Sequence, residues 1–189
     1  MIAKPQTPTD LLIYPDSDGE VMADNTLQFS WIVLIKENLE ALFASDPHVF
    51  VAGDLLWYPL QGELKSTAPD AMVVFGRPKG YRGSYKQWEE DNIAPQVVFE
   101  ILSPSNTARK MMEKRQFYKE HGVEEYYIYD PDTNVLEGWQ RFVTQENSHE
   151  EARFISIDPI NQWVSPRLGI KFDLSGEELV ILDPEGNPF

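Results

Sequence analysis

"QVVFEILSPSN", residues 96–106, decides how this chain is read. Val97, Val98 and Phe99 stand before Glu100, and Ile101 and Leu102 follow it, so the stretch reads as a buried strand. Ser103 to Asn106 then supply turn chemistry, and Ser105, Asn106 or Thr107 can cap a following helix. An unpaired carboxylate inside such a strand is costly. Glu100 therefore needs a partner, and the neighbouring segments are where to look for one.

Downstream, "SPSNTARKMMEKRQFYKEHGVEE" holds a helix expected to run to about residue 120, with Gly122 placed to end it. "EYYIYD", 125–130, is a further strand. The helix between it and 96–102 reads as a crossover joining parallel strands. "PDTN" is a turn, and "VLEGWQRF" returns as a hairpin partner. Upstream, "DAMVVFG" and "HVFVAGDLLWYP" read as strands that can pair as an antiparallel meander, joined by the polar "QGELKST". A helix is expected over 26–44, capped by Asp24 or Asn25, with Phe29, Ile32, Val33, Leu39, Leu42 and Phe43 as its apolar stripe. Residues 76–95 form a long loop. "ARFISID" and "SPRLGIKFD" read as late strands and "LDPEGNPF" as loose. The expected architecture is a single α/β domain over 25–175, a mixed central sheet flanked by helices, with an N-terminal arm at 1–24 and a C-terminal tail at 176–189.

The 189 residues are 42% hydrophobic and 12% aromatic, which fits a globular core. No apolar run approaches the roughly 20 residues of a membrane span, and "MIAKPQTPTD" lacks the apolar centre of a signal peptide. A soluble, cytoplasmic protein is expected, with no membrane partner. The absence of cysteine excludes disulfides, thiolate metal sites and a cysteine nucleophile. A net charge of −15 disfavours polyanions over most of the surface, so nucleic acid would need a local basic patch or a divalent cation. The same charge also serves solubility.

Three residues align as a chemical set. Asp70 follows Pro69 at the head of one strand, Glu100 lies in the next, and Lys114 sits on the helix after it. Acids on neighbouring strands can converge on one point, where a divalent ion would compensate both; hard oxygen ligands favour Mg²⁺ or Mn²⁺. Met111 three before Lys114, and Phe117 and Tyr118 three and four after, border its helix face and direct the lysine partly toward the sheet. Acids, lysine and metal together describe phosphodiester hydrolysis. Each member alone has a plainer reading: a strand-starting aspartate, a glutamate paired with a structural cation, a solvated helix lysine.

"APDAMVVF", "QVVFEILSPSN", "EKRQFYKEHGVEEYYIYDP" and "QWVSPRLGI" resemble the Uma-two family of restriction-endonuclease-like proteins, often present in many copies in cyanobacteria. The resemblance runs from about residue 10 to 172. It implies the PD-(D/E)xK nuclease fold and a Mg²⁺-dependent DNA endonuclease, with Asp70 and Glu100 as metal ligands and catalytic acids. The motif's lysine would fall at Leu102; the resemblance places that role on Lys114 instead. It also implies a homodimer, since a duplex has two strands to cut. Superfamily members that have lost activity leave a second class open: a catalytically inactive nucleic-acid or protein interaction module retaining the fold.

Asp54 reads as a strand-edge acid or a third metal ligand, and Glu37 as a solvated helix position. In the loop, Arg77, Lys79, Arg82 and Lys86 interleave with Tyr81, Tyr85 and Trp88, which suits DNA contact over 76–88. Its basic half can instead pair with the following "EED". His48, His121 and His149 show no metal spacing, although His121 can favour the helix dipole. Ser103 serves a turn.

Overall fold

The computed structural model describes residues 12–19, 22–146 and 149–189. Residues 1–11, 20 and 21 of the expected arm, and the His149 side chain, lie outside the described residues. The first helix, α1 (Thr26–Leu42), starts at Asn25, whose side chain accepts a hydrogen bond from the Gln28 N–H at 2.8 Å. It buries Gln28, Trp31, Ile32, Ile35 and Leu39. Phe29 and Val33, expected in the stripe, stay 47% and 39% exposed. The run "FSWIVLI" is apolar nearly all round, so its periodicity does not choose a face. Gln28 helps to fix the one observed: its amide donates to the Ile101 carbonyl at 2.9 Å.

The strands are β1 (Val49–Ala52), β2 (Trp57–Tyr58), β3 (Ala71–Phe75), β4 (Tyr85–Lys86), β5 (Val97–Ile101), β6 (Glu125–Asp130), β7 (Val135–Glu146), β8 (His149–Ser156), β9 (Lys171–Asp173) and β10 (Val180–Leu182). Six build the central sheet in the order β1-β3-β5-β6-β7-β8. Within this sheet β5 and β6 are the parallel pair, and the pairs on either side are antiparallel. Helix α2 (Ala108–His121) makes the β5–β6 crossover. Thr107 caps its start, and Gly122 ends it at φ 102°, a left-handed conformation that favours glycine.

Side-chain alternation splits the core into two layers. Val97, Phe99 and Ile101 of β5 face α1 and meet Trp31, Ile35 and Leu39. Val98 faces the other way, toward Phe117 and Tyr118 of α2. Glu100, two residues beyond Val98, therefore points at α2.

Three expectations are corrected. The segment 48–59 is two strands, not one: the chain turns at Gly53-Asp54, where Asp54 has φ 49° and its N–H donates to the Pro69 carbonyl. The long loop holds β4, which pairs in parallel with β2. "LDPEGNPF" is not loose throughout: Leu182 pairs with Lys171 of β9 and bridges Pro188, and the Phe189 N–H donates to the Ile181 carbonyl. Among the described residues, no helix is long and apolar enough to cross a membrane.

Candidate active site

Asp70 stands one residue before β3. The β3–β5 pairing sets Ala71 opposite Phe99, so one further step along the same ladder sets Asp70 opposite Glu100. Directly opposed residues of an antiparallel pair project to one face of the sheet. Asp70 Oδ2 accepts the Ile101 N–H at 2.6 Å, which ties the start of β3 to the end of β5. Glu100 is 3% exposed. Its Oε2 accepts from Lys114 Nζ at 2.7 Å, and its Oε1 accepts from the Tyr118 hydroxyl. Lys114 also donates to the Ala68 carbonyl at 3.3 Å. Residues 114, 117 and 118 share the inward side of α2, because 117 and 118 lie three and four residues after 114. The carboxylate of Glu100 thus has two partners from one helix.

Burial, and next the Glu100 carboxylate, push the Asp70 carboxyl up to about 8, against the pull of Lys114 and the Ile101 N–H. For Lys114, burial opposes the charge, but Glu100 and Asp70 outweigh it and hold the ammonium above its ordinary value. Burial, then Glu100, raise the Tyr118 phenol, so it stays a hydrogen-bond donor. The site is therefore short of positive charge: one lysine faces two opposed acids.

A cleft of about 450 Å³ opens over these groups. The N-terminal arm contributes Asp18, Met22 and Asp24, α1 contributes Gln28, and the β2–β3 connection contributes Lys65 to Ala68. Asp54 lines it as well. Its carboxyl is raised by burial first, then by Asp18, and it feels Lys114 and Glu100. Of the two roles its sequence position allows, strand-edge acid or ligand, the turn at 53–54 brings Asp54 into the cleft. Among the described residues, no three histidines or acids cluster closely enough to enclose an ion.

Two cleft residues, Gln28 and Asp18, and the buried Tyr118 behind Glu100 are not among the residues expected at the site. Tyr118 had been read only as a neighbour of Lys114, Gln28 was overlooked, and Asp18 sits in an arm with no regular pattern. Gln28 had a signal: a polar residue directly ahead of the apolar run "FSWIVLI". Leu102 occupies the position of the motif's lysine and packs against the α2-side core. Ser103 serves the turn, donating to Asp24.

The loop's cations are engaged within the protein. Arg77 and Arg82 donate to Glu90 at 2.8 and 2.6 Å, Arg77 also pairs with Asp91, and Arg82 lies 4.0 Å from the Phe50 ring. Lys79 donates to the Phe43 carbonyl. Tyr85 is buried. The basic half of the loop thus pairs with its own "EED", the second of the two readings of 76–88. Glu37 pairs with Lys36 on the surface of α1. His121 packs against Phe117 and Trp57, and burial, then Lys65, lower its pKa rather than raise it.

A six-stranded mixed sheet with one parallel pair and a crossover helix between its parallel strands is a restriction-endonuclease-like α/β architecture. The chain belongs to the Uma2 family, described as "Putative restriction endonuclease", whose model matches residues 13–175. A crystal structure of "a putative nuclease belonging to DUF820" from Anabaena variabilis shares the fold, with a TM-score of 0.56, 15% identity and 79% of each chain covered. No match was found among curated proteins.

Proposed function

We propose that the protein is a Mg²⁺- or Mn²⁺-dependent endonuclease that hydrolyses phosphodiester bonds in DNA. The observation that carries this reading is the opposition of Asp70 and Glu100 on paired strands, with Lys114 bonded to Glu100. Two buried acids facing one lysine are a donor set that a hard divalent cation would complete. Asp70 Oδ1 and the remaining lone pairs of Glu100 would hold it, with Asp54 at the rim. A cation bound there supplies Lewis-acid stabilisation of negative charge on the phosphoryl group. Tyr118 fixes the orientation of Glu100 through Oε1. Lys114 Nζ, already 2.7 Å from Glu100, would orient the attacking water or stabilise charge on a phosphoryl oxygen. The family description and the nuclease-like neighbour support the same class.

A second reading is a binding module that keeps the fold without cleavage. It is favoured by one observation: both oxygens of Glu100 already have protein partners. Relaxation and cleavage of supercoiled plasmid with Mg²⁺ and Mn²⁺ decide between the two. The nuclease reading expects cutting by the wild type and its loss in Asp70→Ala and Glu100→Ala, each with an unchanged circular-dichroism spectrum. Cutting that survives both substitutions removes the assignment.

A further inference from the structure

The second cavity, about 1110 Å³, is a groove between α2 and the outer strands β7 and β8. Five cations line it, Lys65, Arg109, Arg115, Lys119 and Arg153, against one acid, Glu113. The whole chain carries 16 lysines and arginines against 31 acids, so this groove locally reverses the sign of the molecule. Arg109 pairs with Glu113 and Arg153 with Glu151, both as exposed pairs of little strength. Among the described residues, no ion pair engages Arg115 or Lys119. Arg115 lies 5.0 Å from the centre of the Trp139 ring, which positions its guanidinium without neutralising it. Trp139 and Phe154, both stacked on Tyr126, give the groove a fixed apolar floor. Lys65, Glu113 and Phe117 line this groove and the Asp70–Glu100 cleft alike, so the two are continuous.

We infer that this groove is the track for the sugar–phosphate backbone of a polynucleotide whose target phosphate enters the cleft. The inference rests on the nuclease reading of the cleft. A polyanion is repelled by a surface of net charge −15 and approaches only where cations predominate. The loop at 76–88 does not offer that, because Arg77 and Arg82 are held by Glu90. The groove does, and it leads to the acids. Phosphates seated there would be held by Arg115 and Lys119, with Arg153 on the opposite wall.

The test measures anisotropy of a fluorescein-labelled oligonucleotide in EDTA, over a salt series, with wild type and the double variant Arg115→Gln/Lys119→Gln. The double variant is expected to bind about tenfold more weakly, with a log–log salt slope smaller by about two, one for each cation removed. Arg115→Lys should retain the wild-type slope. Mn²⁺-dependent hydrolysis of bis(p-nitrophenyl) phosphate, too small to reach the groove, should be unchanged in the double variant. Should that variant not fold, Lys119→Gln/Arg153→Gln carries the same expectation. Unchanged oligonucleotide binding in a folded variant overturns the track, whatever the small ester shows. Displacement of the oligonucleotide by poly-glutamate at equal charge also overturns it, pointing to an acidic polypeptide. If the wild type fails to hydrolyse the ester while oligonucleotide binding still depends on the groove, the nuclease reading fails and the track stands.

Discussion

Asp70 shows how a buried acid can oppose the fold that holds it. Its carboxyl titrates near 8 in the folded chain, because of burial and then Glu100, and near 4 when unfolded. The sign follows from proton binding. Below the unfolded value both states are protonated. As pH rises toward 8 the unfolded state gives up its proton first, so stability falls across that window and levels off above it. Asp70→Asn keeps an oxygen for the Ile101 N–H and removes the charge. In EDTA at pH 7 it should gain on the order of 2 kcal/mol, about 4–8 °C in Tm, and lose the slope between pH 4 and 8. The same variant should lose Mg²⁺-dependent cleavage. Thermal melts across that pH range check the first part; an unaltered slope would show that Asp70 is not the group responsible. Glu100 resolves its burial differently, through Lys114 and Tyr118. The question raised by its sequence neighbourhood, a charge inside "VVFEIL", is answered by the helix that follows it.

At the scale of elements, the long loop is held by Glu90. Burial opposes its charge, but hydrogen bonds from Arg82 and Arg77 outweigh burial and hold the carboxylate below its ordinary value. A depressed folded value gives stability that is present above the unfolded pKa and lost as pH falls through the folded one. Glu90→Gln should therefore cost about 2 kcal/mol at pH 7 and much less near pH 3, measured by urea unfolding at both. An equal loss at the two values would show that packing, not charge, matters there. The elements also mark what the sequence made legible. The β5–α2–β6 crossover, a cap at Asp24 or Asn25 and the stop at Gly122 were readable, because period, capping and glycine chemistry are local. Asp70, Glu100 and Lys114 were readable as candidates; the β3–β5 ladder sets the two acids opposite each other, and Lys114 bonds to Glu100. The buried face of α1 was not, since nearly every face of "FSWIVLI" is apolar and a distant carbonyl, Ile101, helps to choose. Neither was Asp54 in the cleft, which depends on a turn and on the Pro69 carbonyl.

For the molecule as a whole, the chain end is part of the core. Leu179 and Ile181 are 3% and 2% exposed and pack on the α1 layer through β10. Removing residues 176–189 should expose that layer and cost roughly 1.5–3 kcal/mol for each of the two side chains, a large share of a typical total of about 5–15 kcal/mol. Denaturant midpoints of the truncated and full chains measure it; equal midpoints would assign β10 no structural role. A cation in the cleft should act in the other direction. At a concentration one hundred times its dissociation constant, Mn²⁺ should add about 2.7 kcal/mol to the wild type and little to Asp70→Ala. The opposed acids have one more consequence. If β3 met β5 displaced by a single residue, the apolar side chains of β3 would still find an oily layer on either side, but Asp70 would turn to the opposite side from Glu100. A chain misassembled in that way could keep most of its hydrophobic contacts and have no chemistry at all. Preparations of good solubility and native-like helix content could then hold an inert fraction, visible only as sub-stoichiometric uptake of Mn²⁺.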